Sequence, residues 1–232
     1  MGDLTIIYYT ANKVTDYFYN NTKAQLLKAA GNIPIISVTQ KPVGFGQNIV
    51  VGDIGQSVPN IYRQVLIGAK AAKTEFVAMA EDDTLYCKEH FNYNNRTPSK
   101  HRFLYNMNRW NLYTWSQPPI FSRKYRMVLN ALIAPRELLI EALEERFAKY
   151  PKDEMIPLKY FAEPGRYETG LGVTIRETEK WYSDPPIVVF SHPEALNFIQ
   201  QGERKNLGDE RLYSLPYWGT AEEVLRNYTN EI

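Results

Sequence analysis

The chain carries one cysteine, Cys87, in 232 residues. No intrachain disulfide can form, so the fold must rest on its core, and a reducing, cytoplasmic setting is the expectation. Long apolar runs are missing as well. The longest fall far short of the roughly 20 residues of a membrane-spanning helix, so no span is expected. Met1-Gly2-Asp3 leads directly into a strand-like segment without a basic region or a long apolar stretch, which gives no sign of a signal peptide. Ile6 stands where a myristoylation signal needs Ser or Thr. Net charge is almost absent, at +1, and says nothing about partners. Its distribution says more, because no Asp or Glu occurs between His90 and Arg136. Internal repeats and low-complexity tracts are absent too.

The remaining pattern is that of an α/β chain. Leu4–Tyr9 has the look of a buried strand ending at Thr10-Ala11-Asn12, and helical spacing follows from Tyr17 to Ala30 with Gly31 as the stop. Pro34–Val38 and Asn48–Val51 are further strands. Ser57 caps a helix running to about Lys73. Phe76–Ala80 is the next apolar strand. The order β-α-β-(β)-α-β predicts a mostly parallel sheet with helices on its faces. Met127–Ala134 is expected as a strand and Arg136–Tyr150 as an amphipathic helix broken by Pro151. Gly172–Ile175 and Ile187–Phe190 are expected as strands, and Thr220–Asn227 as a helix capped by Thr220. At 232 residues the chain is long enough for one large domain, with a first half over 1–89 and a second over 90–232.

Glu81-Asp82-Asp83 follow directly on the apolar strand. Three crowded acids at a strand tip repel one another, and a divalent cation is the usual remedy. Strand alternation would turn Glu81 and Asp83 one way and Asp82 the other. In open α/β sheets, ligands bind beyond the carboxyl ends of the strands. A solvated acidic turn is the alternative reading of the same three letters.

With this layout the chain resembles the nucleotide-sugar glycosyltransferases of the GT-A fold. Phe76–Asp83 is similar to that fold's Asp-x-Asp segment, and Val128–Leu139 resembles the strand and helix that open its acceptor half. Tyr167–Arg176 stands where family-2-type inverting enzymes carry their catalytic base. Pro186–Ser191 with His192 resembles the late strand and histidine that complete the metal site. Two departures stand out: Thr169 occupies the place of the usual base Asp, and Arg63-Gln64 lies a turn ahead of the usual Arg-Asn pair. The resemblance implies a Mn2+ or Mg2+ ion held by Asp83, Glu81 and His192, with a nucleotide-sugar, most simply a UDP-sugar, as donor. It implies Glu168 as catalytic base, and Thr10, Asn12, Arg63, Asp82, Arg204 and Lys205 as donor-binding residues. His192 can equally be read as a core or turn histidine, Glu168 as a surface acid, and Arg204-Lys205 as a solvated basic turn. Val43-Gly44-Phe45-Gly46 is a turn rather than a phosphate loop.

The acid-free stretch interleaves arginines with aromatics and shows no clean period, which reads as a long loop or several short pieces. Basic side chains track phosphates and aromatics stack on extruded bases. Arg102, Arg109, Trp110, Trp115 and Arg123 are therefore candidate acceptor contacts, and the sequence looks similar to compact virus-type DNA-modifying glycosyltransferases. The acceptor expected is duplex DNA with a 5-hydroxymethylpyrimidine. A glycan with acidic groups, or plain packing of the tryptophans, fits the same composition. A nucleotidyltransferase would also gather acids at a strand tip but would want a glycine-rich loop after the first strand. A silent nucleic-acid-binding module would leave the acids without a purpose.

Overall fold

The computed structural model describes residues 4–92, 99–114, 116–191, 208 and 210–229. Strand β1 (Leu4–Thr10) is buried along its whole length. Parallel strands covered on both faces need such an unbroken apolar run. Its alternation feeds two cores. Leu4, Ile6 and Tyr8 meet Leu26, Ala29 and Ala30 of helix α1 (Asp16–Ala30). Ile7 and Tyr9 meet Val65 and Ala69 of α2 (Val58–Ala71), with Leu139, Ala142 and Leu143 of a later helix behind them. Both early helices start at a hydroxyl cap, Ser57 being the one expected: the Thr15 hydroxyl accepts from Phe18 N–H at 3.4 Å, and Ser57 from Asn60 N–H at 3.3 Å. Gly31 ends α1 at φ 58°, a conformation that L side chains rarely adopt, while its N–H reaches Leu27 O.

Beside β1 lie β2 (Ile35–Thr39) and β4 (Phe76–Glu81), both parallel to it, and β3 (Gln47–Val50) is parallel to β2. Beyond β4 the sheet takes β9 (Leu132–Pro135), β6 (Arg102–Asn106) and β10 (Glu177–Trp181). The seven-stranded order is β10-β6-β9-β4-β1-β2-β3, with β9 antiparallel to both neighbours. The fold is thus α/β with a mostly parallel central sheet and flanking helices, as expected, and the sheet draws on both halves of the chain. After the one-turn helix α3 (Lys88–Phe91), helix α4 (Arg136–Lys149) follows β9 at once and packs on α2.

A second sheet, five strands in the order β12-β8-β7-β11-β5, uses β5 (Thr84–Leu85), β7 (Arg109–Tyr113), β8 (Ile120–Arg123), β11 (Ile187–Ser191) and β12 (Glu210–Leu212). The parallel pair β6 and β10 leaves the first sheet and continues into this one as the parallel pair β7 and β11. The same passage is made from β4 to β5, through Asp82-Asp83. A short pairing of β13 (Ser214–Leu215) with β14 (Gly219–Thr220) precedes helix α6 (Ala221–Tyr228). Thr220 and Glu223 close its capping box. No helix among the described residues is long and apolar enough to cross a membrane.

The acid-free stretch takes the second of its two expected forms, several short pieces: it carries strands β6 to β8, whose aromatics fill cores on both faces and so show no simple period. Two local expectations are corrected. Within Met127–Ala134 a 3-10 turn at Leu129–Ala131 delays the strand. Gly172–Ile175 is not a strand. Helix α5 (Glu168–Leu171) ends on Gly172 in the left-handed region, and the strand nearby is β10.

Candidate active site

The carboxyl ends of β1 and β4 lie side by side, with Tyr9 in register with Glu81. Strand β4 ends at Glu81, and Asp82 and Asp83 form a turn. The strand alternation expected over all three acids therefore does not apply. Each is held differently. Glu81 is clamped: Tyr9 donates its hydroxyl to one carboxylate oxygen at 2.8 Å, and Asn130 Nδ2 donates to the other at 2.7 Å. Tyr86 secures the clamp by accepting Glu81 N–H at 3.1 Å and donating to Asn130 O at 3.0 Å. Asp82 accepts a hydrogen bond from the hydroxyl of Thr10, which itself accepts Asn12 N–H at 2.8 Å. Asp83 accepts from Thr84 Oγ1 at 3.0 Å, and its carbonyl accepts Phe190 N–H of β11 at 2.8 Å. The turn is thereby fixed to both sheets.

Burial pushes the Glu81 and Asp83 carboxyls well above the carboxylate range, and repulsion within the triplet adds to it: Asp83 acts on Glu81, and Asp82 on Asp83. A cation beside them would remove the second cause. The donor chemistry, carboxylate oxygen, suits Mg2+ or Mn2+. With both Glu81 oxygens occupied by neutral donors, Asp82 and Asp83 are the pair suited to hold such an ion. Among the described residues no group of three His, Cys, Asp or Glu could hold a metal. A third protein donor would have to come from elsewhere. His192, expected in that role, lies outside the described residues, one position after the end of β11, as do Trp115, Arg204 and Lys205.

Several other expected residues already have work to do. Asn12, at φ 54°, accepts the N–H groups of Gln40 and Lys41 at 2.9 and 3.0 Å, so it shapes the loop after β2. Gln64, buried in α2, ties the tips of β1 and β2 by donating to Thr10 O and Val38 O, each at 2.9 Å. Its neighbour Arg63 turns to Asp153 and Asn60 and lies over Phe147, with its guanidinium 5.2 Å from that ring. Glu168 is 4% exposed in a buried ion pair with Arg146 (3.1 Å), and also accepts Gly165 N–H. A base must reach an acceptor hydroxyl, and this carboxylate is spent on joining α5 to α4.

The proposed acceptor contacts divide. Trp110 is core, packed with Leu112, Phe121 and Phe190. Phe91, Phe103, Tyr105, Tyr113 and Phe121 are buried as well. The exposed Arg102 pairs with Glu177 at 2.6 Å, and Lys100 with Glu75. Arg123 pairs with Glu210 at 3.1 Å while lying 5.2 Å from the Trp110 ring. Arg109 differs from all of them: it is buried, and its Nε and Nη1 have no hydrogen-bond partner among the described residues. Tyr9, Tyr86, Thr84 and Asn130 were not anticipated. Asn130, a lone amide inside the apolar run Met127–Ala134, was the available signal.

No family model matches the chain, and no curated protein matches it. Among solved structures it is similar to the bifunctional IspDF from Campylobacter jejuni, at 11% identity and a TM-score of 0.46, over 78% of this chain and 50% of that one. It is similar to S. aureus TarS at 12% identity and a TM-score of 0.49, over 83% of this chain and 37% of that one. A glycosyltransferase involved in glycosylation of the major capsid of PBCV-1 gives 12% identity and a TM-score of 0.45, over 81% of this chain and 92% of that one. The chain spans half or less of the length of the first two.

Proposed function

We propose that the chain is a metal-dependent glycosyltransferase that moves a sugar from a nucleotide-sugar, a UDP-sugar as the simplest donor, to an acceptor hydroxyl. The observation that carries the reading is the acid turn Asp82-Asp83 at the carboxyl ends of parallel β1 and β4, fastened to Thr10 on one sheet and Phe190 on the other. Acids held so firmly at a ligand-binding edge suit a charged cargo. When bound between Asp82 and Asp83, Mg2+ or Mn2+ would neutralise the diphosphate as it leaves. Glu81, clamped by Tyr9 and Asn130, sets the backbone from which the two aspartates project. Buried Thr10 and half-buried Asn12 close the β1 side of this edge, where a nucleoside would lie.

The acceptor side favours a hydroxyl outside nucleic acid. The basic and aromatic stretch was the ground for a hydroxymethylated base in duplex DNA, yet its described aromatics point largely into cores, and Arg102 and Arg123 are in ion pairs. Both acceptor classes enter one experiment: the protein, manganese, a panel of nucleotide-sugars, and either glycan acceptors or DNA with and without hydroxymethylcytosine, followed by product masses. UDP release is expected, falling at least about 100-fold in Asp83→Ala and unchanged in Ser57→Ala. Equal turnover in Asp83→Ala removes the metal-site reading. A hexose mass on the modified base restores the DNA acceptor, and release of sugar-1-phosphate in place of UDP, with a uridylyl group on the acceptor, identifies a nucleotidyltransferase.

A further inference from the structure

Arg109 opens β7 and is 7% exposed. Two of its three guanidinium nitrogens, Nε and Nη1, are buried without a hydrogen-bond partner among the described residues. A buried charge with unmade donor bonds is costly, and an apolar side chain of similar volume would fill the place at less cost. The position of the side chain explains what is gained. Register pairs Asn111 with Val189 across β7 and β11, and Val189 with Thr84 across β11 and β5. Arg109 is two residues before Asn111 and so shares that sheet face, the one bearing Thr84, which bonds to Asp83. It feels the charges of Glu81 and Asp83 from there, but its orphaned nitrogens donate to neither. Burial, with the nearby Arg126 adding to it, draws its pKa down to about 10, so it remains a cation at neutral pH.

We propose that Arg109 is the oxyanion receptor of the site: its free donors take a phosphate or carboxylate oxygen of a substrate lying beside Asp82-Asp83. The planar fork of arginine matches such groups better than an ammonium does. The source of the oxyanion rests on the transferase reading, in which the donor diphosphate is the first choice and an acidic acceptor the second. Arg109 thus moves from an expected DNA contact to a group facing the reaction centre.

Titration calorimetry tests this with inorganic pyrophosphate, UDP, uridine and glucuronate on wild type, Arg109→Met and Arg109→Lys. The expected result is at least a tenfold weaker pyrophosphate and UDP affinity in Arg109→Met, unchanged uridine affinity, and an intermediate loss in Arg109→Lys. The melting temperature of Arg109→Met should equal or exceed that of wild type, since an orphaned charge is removed. Loss confined to glucuronate assigns the oxyanion to the acceptor and still supports a receptor. A misfolded or less stable Arg109→Met with unaltered binding in Arg109→Lys makes the residue structural and overturns the proposal. So does wild-type protein that takes up none of the oxyanions. Pyrophosphate binding through Arg109 without turnover of any nucleotide-sugar leaves the receptor standing and removes the transferase, so the two ideas fail separately.

Discussion

At the scale of single residues, burial decides between a reactive group and a structural one. Glu168 and Arg146 are 4% and 0% exposed and bonded at 3.1 Å. Removing one partner of such a pair strands the other charge and costs about 3–5 kcal/mol. Arg146→Met is therefore expected to lose about that much in urea unfolding, and Glu168→Gln a smaller amount, with turnover per folded molecule unchanged in both. A large kcat loss in stable Glu168→Gln would reinstate the base. The acids were legible in the sequence because three neighbouring carboxylates have few uses at a strand tip. Their holders were not, since Tyr9, Tyr86 and Asn130 reach Glu81 from three separate elements.

At the scale of elements, legibility followed locality. Helix α1 announced itself by its spacing and its Gly31 stop, α2 and α6 also by their caps, and the structure starts these two at the expected Ser57 and Thr220. Strands β6 to β8 did not, because their buried faces are defined by partners far along the chain. Helix α2 depends on a close approach of the same nonlocal kind: a Cβ on Gly68 would fall 2.5 Å from Ile7 Cγ2 and 3.3 Å from Val38 Cγ2. Gly68→Ala must push the helix off β1 and β2, and about 1–3 kcal/mol of stability is expected to go. Because Gln64 of this helix ties the tips of β1 and β2, donor binding should weaken along with stability. Thr220→Ala, which only opens the α6 capping box, should cost about 1 kcal/mol and leave binding untouched. If urea midpoints of the two variants coincide with wild type, neither contact matters as argued.

At the scale of the whole molecule, the two sheets are joined where β6 and β10 become β7 and β11, and a buried polar cluster sits at the join. Asn106 Nδ2 lies 3.0 Å from His90 Nδ1 and donates to Ser183 Oγ at 2.7 Å, while Ser183 N–H returns to Asn106 Oδ1 at 3.1 Å. The His90 ring stacks on Trp181 at 5.9 Å. None of this was readable from sequence, where His90 marked only the edge of an acid-free stretch. Burial draws the His90 pKa down to about 3, against about 6.5 when unfolded, so the folded protein holds it neutral. Between those values the unfolded chain binds the extra proton. Stability from this group is complete above about pH 6.5 and falls as pH drops toward 3, by about 1.4 kcal/mol per unit. Urea unfolding of wild type and His90→Phe at pH 7 and pH 5 isolates it, because the titrations of all other groups are common to both. Wild type should lose about 2 kcal/mol more than the variant over that interval. Parallel losses would mean that His90 is hydrated or charged at the join, and that the two sheets do not close over it as the structure has them.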